Sequence, residues 1–309
     1  MPRPRFPERS ATLGKLSPPR LGRSFGRERL FAQLDAYAGS PAVWISGSPG
    51  AGKTTLVATY LDTRKARCLW IQLDPGDADP ATFVYYLGAA VAGAAGRKRV
   101  RLPVPDADDL RDAPGFLRRY FRRIAEALPP PWVLVLDNYQ EIGETSAVHA
   151  GLAQAFAELP AGTRTIAVSR NPPPPAYARA VAAQQIGLVD AHALQFTVEE
   201  TEQLVSLHGQ ARSAEALASA SDGWAAALIL MLATGGEPAH AAFSQGGRAR
   251  ESLFALFAGE VFDRMTPAQQ AVLMRVAFLP SVTETIARVL CDDGCRCRSR
   301  ARAIPRTCA

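Results

Sequence analysis

The segment Gly47-Ser48-Pro49-Gly50-Ala51-Gly52-Lys53-Thr54-Thr55 constrains this chain more than any other. It lies between the short apolar run Ala42 to Ser46, which reads as a buried strand, and a helical stretch from about Lys53 to Asp62. The spacing is G-x-x-x-x-G-K-[ST], and each residue type in it has a chemical reason. Glycines let the backbone turn back on itself, so that its N–H groups and the following helix N-terminus converge on an anion. A lysine adds a compact charge for the outer phosphates, and a hydroxyl next to it suits Mg²⁺. The segment is therefore expected to hold the phosphates of ATP or ADP. Only four of the 35 basic residues are Lys, so a Lys at this position is informative. A guanidinium does not replace an ammonium there.

A P-loop needs a second strand that ends in a carboxylate beside the cation. Trp132-Val133-Leu134-Val135-Leu136-Asp137 has the continuous apolar character of a strand buried on both faces, and it ends in Asp137. Thr54 and Asp137 are thus the expected metal-side residues. Asn138 follows, and an amide positions water but accepts a proton poorly, so slow hydrolysis at most is expected. Thr165 to Ser169 reads as a further strand, and Arg170 at its end is placed where a cation can sense or stabilise terminal-phosphate charge. The run Asn171-Pro172-Pro173-Pro174-Pro175 reads as a stiff loop leaving the sheet rather than a ligand for a small module. His149, His192, His208 and His240 show no metal-ligand spacing.

Strand-like segments Ala42–Ser46, Cys68–Leu73, Trp132–Asp137, Thr165–Ser169 and, more weakly, Gln184–Val189 alternate with helical ones up to residue 195. This predicts an α/β domain over 23–195, a doubly wound parallel sheet with helices on both faces and its ligand at the carboxyl ends of the strands. Residues 196–248 read as helices alone, and 249–290 continue with Thr266-Pro267 opening a helix. Residues 1–22, with five prolines, read as an extended basic arm. The formal charge of +6 is concentrated in the two ends of the chain, which leaves a slightly acidic body and argues against a large phosphate-tracking surface for nucleic acid. Arg118, Arg119, Arg122 and Arg123 crowd one side of the helix from about Ala113 to Leu128, most simply as a solvated face. No secretory or membrane-spanning run is present, and with Cys68 alone outside the tail no disulfide framework covers the body, which fits a reducing, cytoplasmic location.

Taken together, Phe25-Gly26-Arg27-Glu28-Arg29-Leu30, Gly47 to Thr55, Trp70-Ile71-Gln72-Leu73-Asp74 with Asp79-Pro80, Leu136-Asp137-Asn138-Tyr139-Gln140, Ser169-Arg170 and Ser221-Asp222-Gly223-Trp224 resemble the MalT-type STAND ATPases of the LuxR-family transcriptional regulators. The resemblance runs from about residue 15 to about residue 290, with the motifs in the family's order. It implies an ASCE-type P-loop sheet, an all-α helical domain and a partial winged helix over 249–290. It also implies a switch between ADP and ATP forms, an effector or partner protein, and oligomerisation on ATP binding. By position, Gly47, Ser48, Pro49, Gly50, Ala51, Gly52, Lys53, Thr54 and Thr55 would bind phosphates and Asp137 would serve Mg²⁺. Arg170 would sense the terminal phosphate, Arg27 would lie near the base, and Gly223-Trp224 would face the nucleotide. Asn138 and Gln140 stand where relatives often have Asp and His, again pointing to slow hydrolysis at most.

Larger relatives continue into a repeat-rich sensor and a DNA-binding helix-turn-helix, neither visible in this chain. Residues 291–309 lose apolar periodicity and turn to Arg, Cys, Ala and Pro, which suggests a tail read out of frame or ended early. A zinc site from Cys291, Cys295 and Cys297 and a DNA-binding basic tail are the functional rivals for that segment. Against the switch stand two readings of the whole chain, a stand-alone enzyme such as a small-molecule kinase, and an interaction scaffold that nucleotide merely stabilises.

Overall fold

The computed structural model describes residues 14–96, residues 100–233 and the positions Thr266, Pro267, Gln270, Ala271 and Met274. Residues Met1–Ala239 form one compact unit and His240–Ala309 a second. In the first unit, α1 (Glu28–Ala36), β1 (Ala42–Ser46), α2 (Lys53–Thr63), β2 (Cys68–Gln72) and α3 (Pro80–Ala95) follow in order. Next come α4 (Ala107–Arg111), α5 (Ala113–Ala127), β3 (Val133–Asp137), α6 (Ala147–Ala155), β4 (Arg164–Ser169), α7 (Ala178–Ala182) and β5 (Ile186–Val189). Helices α8 (Val198–Leu207), α9 (Ala214–Ser221) and α10 (Ala225–Ala233) complete it.

All five strands are parallel and lie in the order β2-β3-β4-β1-β5, so β4 is inserted between β1 and the strand that ends in Asp137. The strands are four to six residues long and mostly apolar, as burial on both faces requires, except β4, which also buries Arg164, Thr165 and Ser169. On one face Leu69, Ile71, Leu134 and Leu136 pack against α3, α5 and α6 through Phe83, Leu117, Phe121 and Leu152. The other face buries Val43, Ile45, Val133, Val135 and Val168 against α1 and α2 through Phe31, Leu34, Val57 and Leu61. Residues 204–232 carry a smaller cluster of their own, built on Leu204, Leu217, Leu228 and Leu232.

The extended basic arm expected over 1–22 is, over its described residues 14–22, anchored to the sheet at one turn. Gly14–Leu16 make a 3₁₀ turn, Leu16 packs against the core, and Lys15 Nζ lies 2.6 Å from Asp74 and 2.7 Å from the buried Asp77. A proline-rich segment lacks periodicity, but two carboxylates in one turn suffice to fix it. The arginine face of α5 is solvated as expected, with Arg119 on Asp109 and Arg122 on Glu158. Around Thr266, Gln270 N donates to Thr266 O at 2.9 Å, the helical bond expected there. The rest of the predicted winged helix and the cysteine-rich tail lie outside the described residues. Among those residues no helix is long and apolar enough to cross a membrane, and no three His, Cys, Asp or Glu side chains cluster as metal ligands.

Candidate nucleotide site

The loop from Gly47 to Gly52 leaves β1 at the carboxyl edge of the sheet, where Gly47 N still donates to Ser169 O at 3.3 Å. Gly50 and Gly52 have φ of +74° and +80°, a region that side-chain-bearing residues rarely adopt. Gly52 is the N-cap of α2, and Leu56 N bonds Gly52 O at 2.8 Å to close the first turn. The N–H groups of that first turn therefore point out of the helix without intrahelical acceptors, the geometry that favours an anion. Lys53 Nζ folds back onto the loop, 2.6 Å from Gly47 O and 2.8 Å from Ser48 O. Burial and the neighbouring Arg170 charge bring its pKa down to about 8, against a smaller opposing pull from Asp137. The ammonium is thus held in a poorly solvated, cation-rich position that an anionic group would relieve.

Asp137 ends β3 and is 4% exposed. Its Oδ1 accepts from Thr54 Oγ1 and from Asn138 N, each at 3.0 Å, while burial pushes its pKa up. The two residues expected beside the cation, 83 positions apart in sequence, thus share a hydrogen bond. Asn138 has φ of +59°, which turns the chain sharply away from the strand end. Arg170 follows β4, and its backbone N donates to Gln140 Oε1 at 3.0 Å, tying the segment after β3 to the segment after β4. The side chains present fit a triphosphate with a divalent cation: a glycine cradle, a lysine across its mouth, and a hydroxyl–carboxylate pair beside it.

Arg27, which the resemblance sets near the base, has its guanidinium held by protein acceptors. It is 6% exposed, and its guanidinium donates to Leu194 O and Gln195 O at 2.9 Å and pairs with the buried Glu200 at 2.6 Å. The Phe196 ring lies 4.0 Å away. These protein acceptors occupy the group and make it a tie between the start of α1 and the segment after β5. Thr55 is exposed on the first turn of α2, where its carbonyl accepts from Thr59 Oγ1.

Two features of the site were missing from the sequence reading. One is a cleft of about 420 Å³ whose floor is Thr54, Asp137, Trp70 and Gln72 and whose opposite wall is formed by Gly14 and residues 17–20. The signal available for it was Lys15, one of the few lysines in a chain that otherwise uses Arg. The other is that Trp224, which the resemblance sets facing the nucleotide, and the first turn of α10 bond directly to the loop. Trp224 Nε1 donates to Pro49 O and Ala226 N donates to Gly50 O, both at 3.0 Å.

Comparison with known proteins places these features in a wider group. Residues 21–169, from just before α1 to the end of β4, match the family described as an AAA ATPase domain. A Walker-type ATPase of Pyrococcus abyssi superposes with a TM-score of 0.52 at 16% identity, over 92% of this chain and 86% of that one. A Signal Transduction ATPase with Numerous Domains (STAND) protein with a tetratricopeptide repeat sensor, from Pyrococcus horikoshii, superposes with a TM-score of 0.50 at 17% identity. This chain has a P-loop NTPase fold. That match covers 89% of this chain but 38% of the STAND protein, so the chain spans well under half of that relative's length. In the P-loop NTPase fold the insertion of β4 brings Arg170 beside the loop and sets Asp137 one strand further on.

Proposed function

We propose that this chain is an ATP/ADP-binding switch module of a MalT-like STAND transcriptional regulator, with slow ATP hydrolysis at most. The observation that carries the reading is the pair of hydrogen bonds from Trp224 and Ala226 to the carbonyls of Pro49 and Gly50. These donors stand at the start of α10, and their acceptors belong to the phosphate-binding loop itself. A helix seated on such a loop senses any rearrangement that a bound phosphate imposes on it, which is what a nucleotide-controlled switch needs.

In this reading Gly47 to Thr55 hold the phosphates, Thr54 and Asp137 hold Mg²⁺, and Arg170 senses the terminal phosphate. The cation, when bound, would neutralise phosphate charge and orient the outer phosphates. Burial raises the Asp137 pKa, so it is a poorly solvated carboxylate that would gain from a divalent partner. Asn138 offers no carboxylate for activating water, which supports slow turnover. Effector, partner protein and ATP-dependent oligomerisation belong to the same proposal.

Hydrogen exchange tests the switch. With the full chain saturated in turn with Mg-ADP and Mg-ATP, amide protection at Trp224 to Leu228 is expected to differ by about threefold or more, a fraction of a kcal/mol in local opening. Equal protection under both nucleotides, with both bound, contradicts a switch and favours a scaffold that nucleotide only stabilises.

A further inference from the structure

The segment before α1 is anchored at two widely separated places. Lys15 is fixed to Asp74 and Asp77, directly after β2, and its ammonium also lies 4.1 Å from the centre of the Tyr86 ring. Arg27 is fixed to Leu194, Gln195 and Glu200, after β5. Strands β2 and β5 are the two edges of the sheet. Residues 15–27 therefore cross the whole carboxyl edge, above the ends of β3, β4 and β1 that carry Asp137, Arg170 and the loop. A five-stranded sheet is about 20 Å wide and twelve extended residues reach about 40 Å, so the crossing needs no strain.

The middle of this strap forms the far wall of the cleft over Thr54 and Asp137. Pro18 and Pro19 stiffen it, since their fixed φ favours an extended path, and Arg20 is the cationic side chain that the strap brings to the cleft. Trp70 and Gln72 line the same cleft beside Thr54 and Asp137. A guanidinium across the cleft from a hydroxyl–carboxylate pair makes a wall suited to phosphate oxygens. We propose that residues 14–20 form a latched strap over the cation end of the site, and that Arg20 is a further ligand-binding residue that favours a nucleoside triphosphate over a diphosphate. The inference rests on the nucleotide-binding reading of Gly47 to Thr55.

The test is an equilibrium titration of the full chain with Mg-ATP and with Mg-ADP, for the parent, Arg20→Ala, Arg20→Lys and Lys53→Ala. Arg20 is exposed, so its replacement leaves the fold intact. Arg20→Ala is expected to weaken Mg-ATP about tenfold or more and Mg-ADP less than about threefold, with Arg20→Lys recovering part of the difference. Parent-like affinity of Arg20→Ala for both nucleotides, or an equal loss for both, overturns the proposal. Loss of binding in Lys53→Ala shows in the same experiment that the nucleotide site itself stands. If Lys53→Ala binds as the parent does, the failure belongs to the nucleotide-binding reading instead.

Discussion

Arg27 shows how a single buried charge can be committed to the fold while its sequence motif suggests ligand contact. Its partner Glu200 is also buried, and it receives Arg29 at 3.2 Å and its own helix's cap residue Thr197. Replacing Arg27 by Ala leaves Glu200 charged and poorly compensated, at a cost of about 3–5 kcal/mol. In thermal unfolding Arg27→Ala is expected to lower Tm by roughly 10 °C, and the pair Arg27→Met with Glu200→Gln to recover most of the loss. An unchanged Tm with weakened nucleotide binding would instead assign Arg27 to the nucleotide rather than to the fold. The motif around Arg27 was legible in the sequence, but its acceptors stand more than 160 positions away, and no local pattern carries that distance. Lys53, Thr54 and Asp137 were legible because phosphate and cation chemistry demand particular atoms at fixed spacings, whatever the surroundings.

Among the elements, α10 and the loop it meets form the most constrained contact near the site. A Cβ added to Gly50 would sit 2.7 Å from Ala226 Cβ and 3.1 Å from the Trp224 ring, on a backbone with φ of +74°. Gly50→Ala therefore meets both strain and a collision, and it is expected to cost about 1–3 kcal/mol and to raise the proteolytic susceptibility of α10. Parent-like unfolding and proteolysis of Gly50→Ala would mean that α10 does not depend on the loop. The strands and longer helices were readable from apolar runs and helical spacing, as the match of Ala42–Ser46 illustrates. Helix α4 and the 3₁₀ turn at Gly14–Leu16 were not, because each is too short for a period to show. The turn is held by one lysine and two acids some 60 positions away rather than by a stripe.

At the scale of the molecule, one compact unit to Ala239 joins the sheet and helices α8–α10, and both edges of the sheet hold the strap that crosses its carboxyl ends. Strand order was not legible in the sequence, since alternation of strands and helices does not say which strand lies beside which. The superposed ATPases share the fold at 16–17% identity, a level at which topology persists while effectors and outputs diverge. The central claim is that the loop from Gly47 to Thr55 binds Mg-nucleotide through Lys53. It is tested most directly by titrating the full chain with Mg-ATP, parent against Lys53→Ala, at neutral pH and at about pH 9, above the Lys53 pKa of about 8. Only the protonated amine attracts phosphate, so the parent's affinity should fall as pH rises through that value. Lys53→Ala should bind about tenfold or more weakly at neutral pH and show no such fall. A Lys53→Ala protein that binds Mg-ATP as tightly as the parent at neutral pH would contradict the account.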